Sequence, residues 1–126
     1  RSIEKGSVFS ARRDTREKAA IAMADLATAV PQLLATIQAN LLARARAFRE
    51  ESTREASTWA EFTALMDGRP GFVIASWCGS AECEAQIKAE TQATLRNIPL
   101  ASPRVEAPCI KCNGASTAKA WFAKAY

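Results

Sequence analysis

Four cysteines, grouped in two short-spaced pairs, constrain this chain more than any other feature of its sequence. The first pair lies in WCGSAEC and the second, 25 residues further on, in CIKC, and the chain contains no histidine. Two such pairs with an intervening segment are typical of zinc sites, because each pair spans one edge of a tetrahedron around the metal. The pattern therefore predicts one zinc site with four thiolate ligands: Cys78, Cys83, Cys109 and Cys112.

The residues next to these cysteines also favour a metal site. Gly79 relieves the backbone directly after the first cysteine, and Asn113-Gly114 after the last supplies a left-handed turn that lets amides point at sulfur. Ser80 is predicted to cap a helix, which places Cys83 in the first helical turn, where the helix dipole stabilises a thiolate. Both pairs thus have local sequence that suits a thiolate ligand.

Three other roles for the cysteines have less support. Disulfides need an oxidising compartment, which nothing in the sequence indicates, and a CxxC pair closes only with strain. A thioredoxin-type redox pair would begin a helix after a strand, whereas CIKC follows a proline-containing loop. Disulfides, a redox pair and inert, unpaired thiols stay open as alternatives to zinc.

The predicted zinc is structural, because four thiolates leave no coordination position for water or substrate. The segment that carries it has roughly seventy residues, and a segment of this size buries little surface on its own. Metal binding contributes about 10 kcal/mol or more to the folding of small zinc units. We therefore expect the second half of the chain to depend on zinc, while the long helix of the first half survives without it.

The first half of the chain predicts a strand and a long helix. Residues 7–13 alternate loosely and predict a strand, which a polar turn at 14–18 follows. From Asp25, a candidate N-cap, apolar residues recur every three or four positions over about seven helical turns. Pro31 predicts a kink or a late helix start, because proline lacks the backbone donor. The apolar stripe consists of Leu26, Val30, Leu33, Ile37, Leu41, Ala45 and Phe48.

The second half predicts short helices and strands around the cysteines. The polar segment 50–57 predicts a domain boundary. The expected elements beyond it are a helix capped by Thr58 and Glu61, running through Met66 and ended by Gly68, a strand at 71–77, a helix from Ala81 to about Glu90 with Ile87 turned inward, a strand at 94–99 with Leu95 and Ile98, and a strand at 117–124. This alternation predicts a small α+β domain.

The positive charge of the chain belongs to its first part. Residues 1–54 hold ten Lys and Arg against six Asp and Glu, whereas residues 55–126 hold seven of each, which accounts for the net charge of +4. The surplus forms either a solvated face or a surface that attracts phosphates. No run of eighteen apolar residues occurs, so composition predicts a soluble protein with no membrane span.

Five segments match one family in their order along the chain: ARRDT, IQANLLARARAFREE, GFVIASWCGSAECEAQIKAETQATLRNIP, CIKCNGAS and WFAKAY. Together they resemble the C-terminal end of prolyl-tRNA synthetase, in the form in which a zinc-binding domain follows the anticodon-binding domain. The four cysteines fall on the zinc ligands of that family. The resemblance implies that residues 1–51 are the last strand and helix of an α/β anticodon-binding domain and that residues 52–126 are a zinc-stabilised α+β domain.

The resemblance also implies a function for a longer parent chain, in agreement with a first residue that is not an initiator methionine. The parent would be a class II synthetase, a cytoplasmic homodimer that ligates proline to tRNA(Pro) with ATP and magnesium. This chain would contact the catalytic and anticodon-binding domains and would be inactive alone, because it lacks the catalytic domain.

Three further residues gain a role from the resemblance. The carboxylate of Tyr126 would approach the active site, and Arg12 and Arg13 would contact tRNA. Without the resemblance, Tyr126 reads as a free tail and the arginines as partners of Asp14 or Glu17.

One departure and two rival hypotheses complete the interpretation. Arg16 stands where the family usually has glycine, which bears on how the chain enters the long helix. A stand-alone zinc-binding protein or RNA interaction module is the alternative function, and a structural domain with no ligand beyond zinc is the third. The sequence upstream of Arg1 would distinguish them.

Overall fold

The computed structural model describes residues 4–102 and 105–125. The chain divides into two compact units, Arg1–Phe48 and Arg49–Tyr126. We call them the first and the second unit and describe each by itself. The assignment of the chain to an anticodon-binding part and a zinc-binding part stays a prediction.

The first unit opens with a β-hairpin. Strands β1 (Ser7–Ala11) and β2 (Lys18–Ala22) pair antiparallel, with Val8 opposite Ile21. The sequence predicted β1 but missed β2, because its alanine-rich sequence KAAIA has little β-propensity of its own and owes its strand conformation to the partner.

The turn between the two strands explains the unusual Arg16. This residue takes a left-handed conformation with φ of 67°, and its N–H donates to the carbonyl of Arg12 at 3.1 Å. Glycine adopts this conformation without strain, whereas a residue with a Cβ atom adopts it at a cost. The hairpin turn thus keeps its shape with a non-glycine residue.

A long helix follows a short 3-10 turn at Met23–Asp25. The helix α1 spans Leu26–Glu51 and contains Pro31. The predicted late start at Pro31 is therefore wrong, since one full turn precedes the proline. Asp25 lies in the 3-10 turn that leads into α1, and its role as a cap stays a prediction.

One face of α1 is apolar and uncovered. The helix, every residue of which is described, has no buried side chain. By length and composition, the helix from Met23 to Glu51 is apolar enough to cross a membrane, with a mean hydropathy of 1.3 in one eighteen-residue window. A helix from the core of a soluble protein passes the same test. The composition of this helix therefore does not distinguish a membrane span from a helix of a soluble core, and the predicted absence of a membrane span stays a prediction.

The second unit contains a four-stranded mixed sheet in the order β3-β4-β6-β5. Strand β3 is parallel to β4, and β6 is antiparallel to both of its neighbours. The elements in chain order are β3 (Thr53–Glu55), α2 (Trp59–Asp67), β4 (Phe72–Trp77), α3 (Ala81–Thr91), β5 (Ala93–Asn97) and β6 (Ala118–Lys124). The predicted α+β class with a long helix is confirmed.

Local signals in the sequence located both short helices. The N–H of Glu61 donates to Oγ1 of Thr58 at 3.2 Å, and the Glu61 carboxylate accepts the N–H of Thr58 at 3.2 Å, which closes the predicted capping box of α2. Gly68 ends α2, and Ser80 caps α3.

In the second unit, the strand predicted at 94–99 ends early, at Asn97, and strand β3 was not predicted. β3 lies within the segment 50–57, where the N–H of Phe72 donates to the carbonyl of Ser52 at 2.9 Å and the N–H of Ala56 to that of Ile74 at 3.0 Å. Ile98 lies beyond the end of β5 and is 38% exposed, so it does not belong to the core.

The core of the second unit lies between the two short helices and one face of the sheet. Phe62 from α2, Ile87 from α3, Val73 from β4 and Phe122 from β6 are fully buried. The rings of Phe62 and Phe122 meet edge to face, with 5.4 Å between centroids. The inward orientation predicted for Ile87 is confirmed.

Gly71 is expected to be required for the pairing of β3 with β4, whereas nearby Gly68 is not. Gly71 has φ of 152°, and a Cβ atom there would lie 2.1 Å from the carbonyl oxygen of Ser52; at Gly68 the nearest atom is 3.4 Å away. Gly71→Ala should lower the free energy of unfolding of the second unit by about 1–3 kcal/mol or more, and Gly68→Ala by less than about 1 kcal/mol. Urea denaturation followed by near-UV circular dichroism measures both, and equal losses would contradict the expectation.

Candidate metal centre

The fold brings the four cysteines to one place. Cys78 directly follows β4, Cys83 lies in the first turn of α3, and Cys109 and Cys112 belong to the turn region before β6. All four are free thiols, and their sulfur atoms lie within 4.8 Å of one another. Sulfur atoms around a tetrahedral zinc ion are separated by ~3.8 Å, as follows from a Zn–S distance of ~2.3 Å. The cluster is therefore close to the geometry that zinc requires.

The first pair is shaped by Gly79 and Ser80. Gly79 has φ of 86°, and a Cβ atom there would lie 3.2 Å from Oγ1 of Thr117. The N–H of Ser80 donates to the sulfur of Cys78, while its Oγ accepts the N–H of Cys83 at 3.4 Å. One serine thus orients the first ligand and begins the helix that carries the second.

The second pair forms a tight turn. Asn113 is left-handed with φ of 56°, as predicted for the Asn113-Gly114 turn, and its N–H donates to the carbonyl of Cys109 at 3.0 Å. A Cβ atom on Gly114 would lie 3.3 Å from the sulfur of Cys112, so glycine leaves room for that ligand. The N–H of Ile110 donates to the carbonyl of Ser76 at 2.8 Å, which ties the turn to β4.

The electrostatics of the cluster favour a thiolate at Cys109 and oppose one at Cys83 and at Cys78. Burial raises the pKa of Cys109, but backbone N–H donors from Cys112, Lys111 and Cys78 outweigh it and bring the pKa down to about 7. Burial, with a smaller contribution from the neighbouring thiols, raises the pKa of Cys83 to about 12. The Ser80 amide lowers the pKa of Cys78, yet burial and neighbouring thiols leave it raised.

These opposing effects fit a bound dication. Four thiolates at such short separations repel one another, and a divalent metal ion removes that repulsion while binding all four. The four soft sulfur ligands suit zinc, and once bound they leave no open position for substrate. The residues present thus fit a closed, structural zinc site.

The structure pairs Arg12 within the first unit. The Arg12 guanidinium contacts both carboxylate oxygens of Asp14, at 2.8 and 3.1 Å, and Nδ2 of Asn40 donates to the same carboxylate at 2.7 Å. Glu17 lies 3.8 Å from the guanidinium. Arg13 is exposed and forms no ion pair with any described residue. Contact with tRNA therefore stays a prediction for both arginines, with Arg13 the one whose charge is available.

The Asp14 ion pair predicts a pH dependence for the first unit. The Arg12 hydrogen bond, opposed by burial and aided by Asn40, holds the pKa of Asp14 well below its usual range. Because the folded pKa is lowered, the stabilisation is present above the unfolded pKa of about 4 and is lost as pH falls below it. Thermal melts between pH 7 and pH 3 should show a steeper loss of stability for the wild type than for Asp14→Asn. The exposed Asp25 offers a control, since Asp25→Asn should keep the wild-type profile, and parallel profiles for all three chains would contradict the expectation.

Tyr126, the residue predicted to direct its carboxylate toward an active site, lies outside the described residues. The strand before it, β6, runs to Lys124 and is central in the sheet.

The fold and the site define the class of this protein: a small α+β domain with a four-cysteine cluster that fits a metal ion, preceded in sequence by a hairpin and a long helix. Residues 59–126 match the family described as "Prolyl-tRNA synthetase, C-terminal". The chain belongs to this family, as its resemblance in sequence predicted.

Curated relatives match the whole chain. The proline–tRNA ligase of Lachnospira eligens is 39% identical over 126 residues, which cover 100% of this chain and 26% of that protein. The proline–tRNA ligase of Chlorobium phaeobacteroides is 42% identical over 134 residues, covering 100% of this chain and 27% of that protein. The chain thus spans about a quarter of the length of these relatives.

Solved structures match the fold over nearly the whole chain. A crystal structure of prolyl-tRNA synthetase from Cryptosporidium parvum, complexed with halofuginone and AMPPNP, has a TM-score of 0.86 and 27% identity, covering 99% of this chain and 27% of that one. The same enzyme complexed with L-proline and AMP gives a TM-score of 0.91 and 29% identity, with equal coverage.

Proposed function

We propose that this chain is the C-terminal architectural part of a longer parent, a proline–tRNA ligase of class II. The parent activates proline with ATP and magnesium and transfers it to tRNA(Pro). The observation that carries the proposal is the match of the entire chain to about a quarter of curated proline–tRNA ligases. The chain supplies a zinc-stabilised domain and acts through the remaining domains of its parent, in a cytoplasmic homodimer.

The uncovered face of α1 supports a larger parent. Leu34, Leu41, Leu42 and Phe48 are each at least 47% exposed on this helix, and Phe9 of β1 is 70% exposed. Such a face is costly in water and is usually covered by a partner. In the parent, the rest of the anticodon-binding domain covers it, so the helix lies in a soluble core rather than in a membrane.

The function is tested with the full-length gene that contains this chain. The full-length protein should catalyse proline-dependent exchange of pyrophosphate into ATP and should charge tRNA(Pro), and the 126-residue chain alone should do neither. A full-length protein that activates another amino acid, or none, would refute the proposal. An isolated RNA interaction module finds no support in the second half, whose charges balance.

The terminal residue is proposed to direct its carboxylate at the active site of the parent. Deleting Tyr126 from the full-length ligase should reduce proline activation without changing the melting temperature, because the carboxylate is then displaced. Tyr126→Phe keeps the carboxylate in place and serves as the matched control. Normal activity after deletion would leave this residue with a structural role only.

Arg13 is the better of the two arginines for contact with tRNA. Arg13→Ala in the full-length ligase should weaken tRNA binding and reduce the slope of log K against log salt by about one, since one phosphate contact is lost. Arg12→Ala should instead destabilise the first unit, because it leaves the nearly buried Asp14 carboxylate without its cationic partner and with the amide of Asn40 as its remaining side-chain donor among the described residues. An unchanged salt slope for Arg13→Ala would exclude the contact.

A further inference from the structure

A lysine between the second pair of cysteines contacts both short helices of the second unit. The Nζ atom of Lys111 lies 2.6 Å from Oε1 of Glu90 in α3 and 4.1 Å from the centroid of the Trp59 ring in α2. The Lys111 side chain is only 14% exposed. A lysine held on an aromatic face and paired with a carboxylate has lost most of its freedom, so this side chain is fixed in place.

The ring under Lys111 belongs to a row of aromatic contacts that crosses the core. The rings of Trp59 and Phe62 stack, with 5.3 Å between centroids and 12° between planes. Phe62 in turn meets Phe122 of β6 edge to face. The row therefore connects the turn of the second cysteine pair with the central strand of the sheet.

We propose that Lys111 is a positioning residue for the metal centre and couples zinc binding to the packing of α2 and α3. Its backbone N–H donates to the sulfur of Cys109, while its side chain is held by Glu90 and Trp59. One residue thus connects the ligand turn to the helices. Because linkage is reciprocal, contacts that order this turn raise the affinity for zinc, and bound zinc strengthens the contacts.

This role of Lys111 rests on zinc occupying the four-cysteine cluster. Its test distinguishes a failure of the zinc site from a failure of the coupling through Lys111. Chelator competition with the 126-residue chain measures the affinity for zinc. Lys111→Met should bind zinc about five- to tenfold more weakly, the size expected for a cation–π contact and a partly exposed ion pair. Lys111→Arg should restore most of the affinity, because arginine keeps the cation over the ring. If the wild type binds no zinc, the metal site itself is wrong.

Lys119→Met is the matched control. Lys119 also forms a single ion pair within the second unit, at 3.2 Å from Glu55, but does not lie between two cysteines. Its loss should change the affinity for zinc by less than twofold. If Lys111→Met also stays within twofold of a zinc-binding wild type, or if Lys111→Arg is as weak as Lys111→Met, the proposal fails.

A second readout reports on the contact itself. In zinc-saturated protein, the indole N–H resonance of Trp59, assigned with Trp59→Phe, should shift in Lys111→Met, while those of Trp77 and Trp121 stay in place. Thermal melts in excess zinc complete the test: Lys111→Met should lower the melting temperature of the second unit, and Lys111→Arg should keep it near the wild-type value. A melting temperature in excess zinc that Lys111→Met leaves unchanged would overturn the proposal.

Discussion

Removal of zinc with a strong chelator is expected to unfold the second unit and to leave α1 helical. The core of this unit is small, and binding of four thiolates to zinc contributes about 10 kcal/mol or more to the folding of comparable units. This contribution is as large as the whole stability of a typical domain, which is about 5–15 kcal/mol. Without the ion, neighbouring thiols such as Cys83 and Cys109 only repel one another when they ionise.

Circular dichroism measures this result, because the helices contribute unequally. α1 has 26 residues, whereas α2 and α3 have 9 and 11, so less than half of the helical signal should disappear. Near-UV signals of Trp59, Trp77 and Trp121 should collapse together. Zinc added back should restore both, and magnesium should not. A melt unchanged by chelator, with no zinc in elemental analysis, would refute the metal site.

Truncation of Phe122 should have the second large effect. Its ring is fully buried on β6 and packs edge to face against Phe62. Phe122→Ala should lower the free energy of unfolding of the second unit by about 3–5 kcal/mol, through lost transfer energy and the cavity left behind. Urea denaturation of the zinc-bound protein measures the change.

Phe9→Ala provides the matched control for this truncation. Phe9 is 70% exposed on the hairpin, so the same substitution removes little buried surface. Its effect on the 126-residue chain should stay within about 0.5 kcal/mol. Similar losses for both variants would mean that Phe122 is not the core residue that its burial indicates.

The elements that could be predicted from the sequence are those whose signals are local. Thr58 and Glu61 close a capping box within four residues. Ser80 caps α3, and Cys83 follows in the first turn of that helix. The spacing of the cysteines likewise predicted a cluster, because two tight turns can each present a pair of sulfur atoms to one metal.

The elements that were missed depend on distant partners. Strand β3 has only three residues and exists because β4 pairs with it in parallel, and β2 exists because β1 pairs with it. The contacts of Lys111 with Glu90 and Trp59 join residues 21 and 52 positions apart in sequence. No periodicity or propensity records such pairings, since they follow from how the elements pack.

The position of β6 has a consequence for synthesis of the chain. In the order β3-β4-β6-β5, the strand that leaves the ribosome after all the other described elements must enter the middle of the sheet. Until it does, β4 keeps an unpaired edge and β5 has no partner among the described strands, and Cys109 and Cys112 emerge only shortly before β6. Folding of the second unit therefore waits until β6 has left the ribosome, and a polypeptide interrupted before Ala118 exposes the open edge of β4 and an unpaired β5, which cellular quality control can recognise.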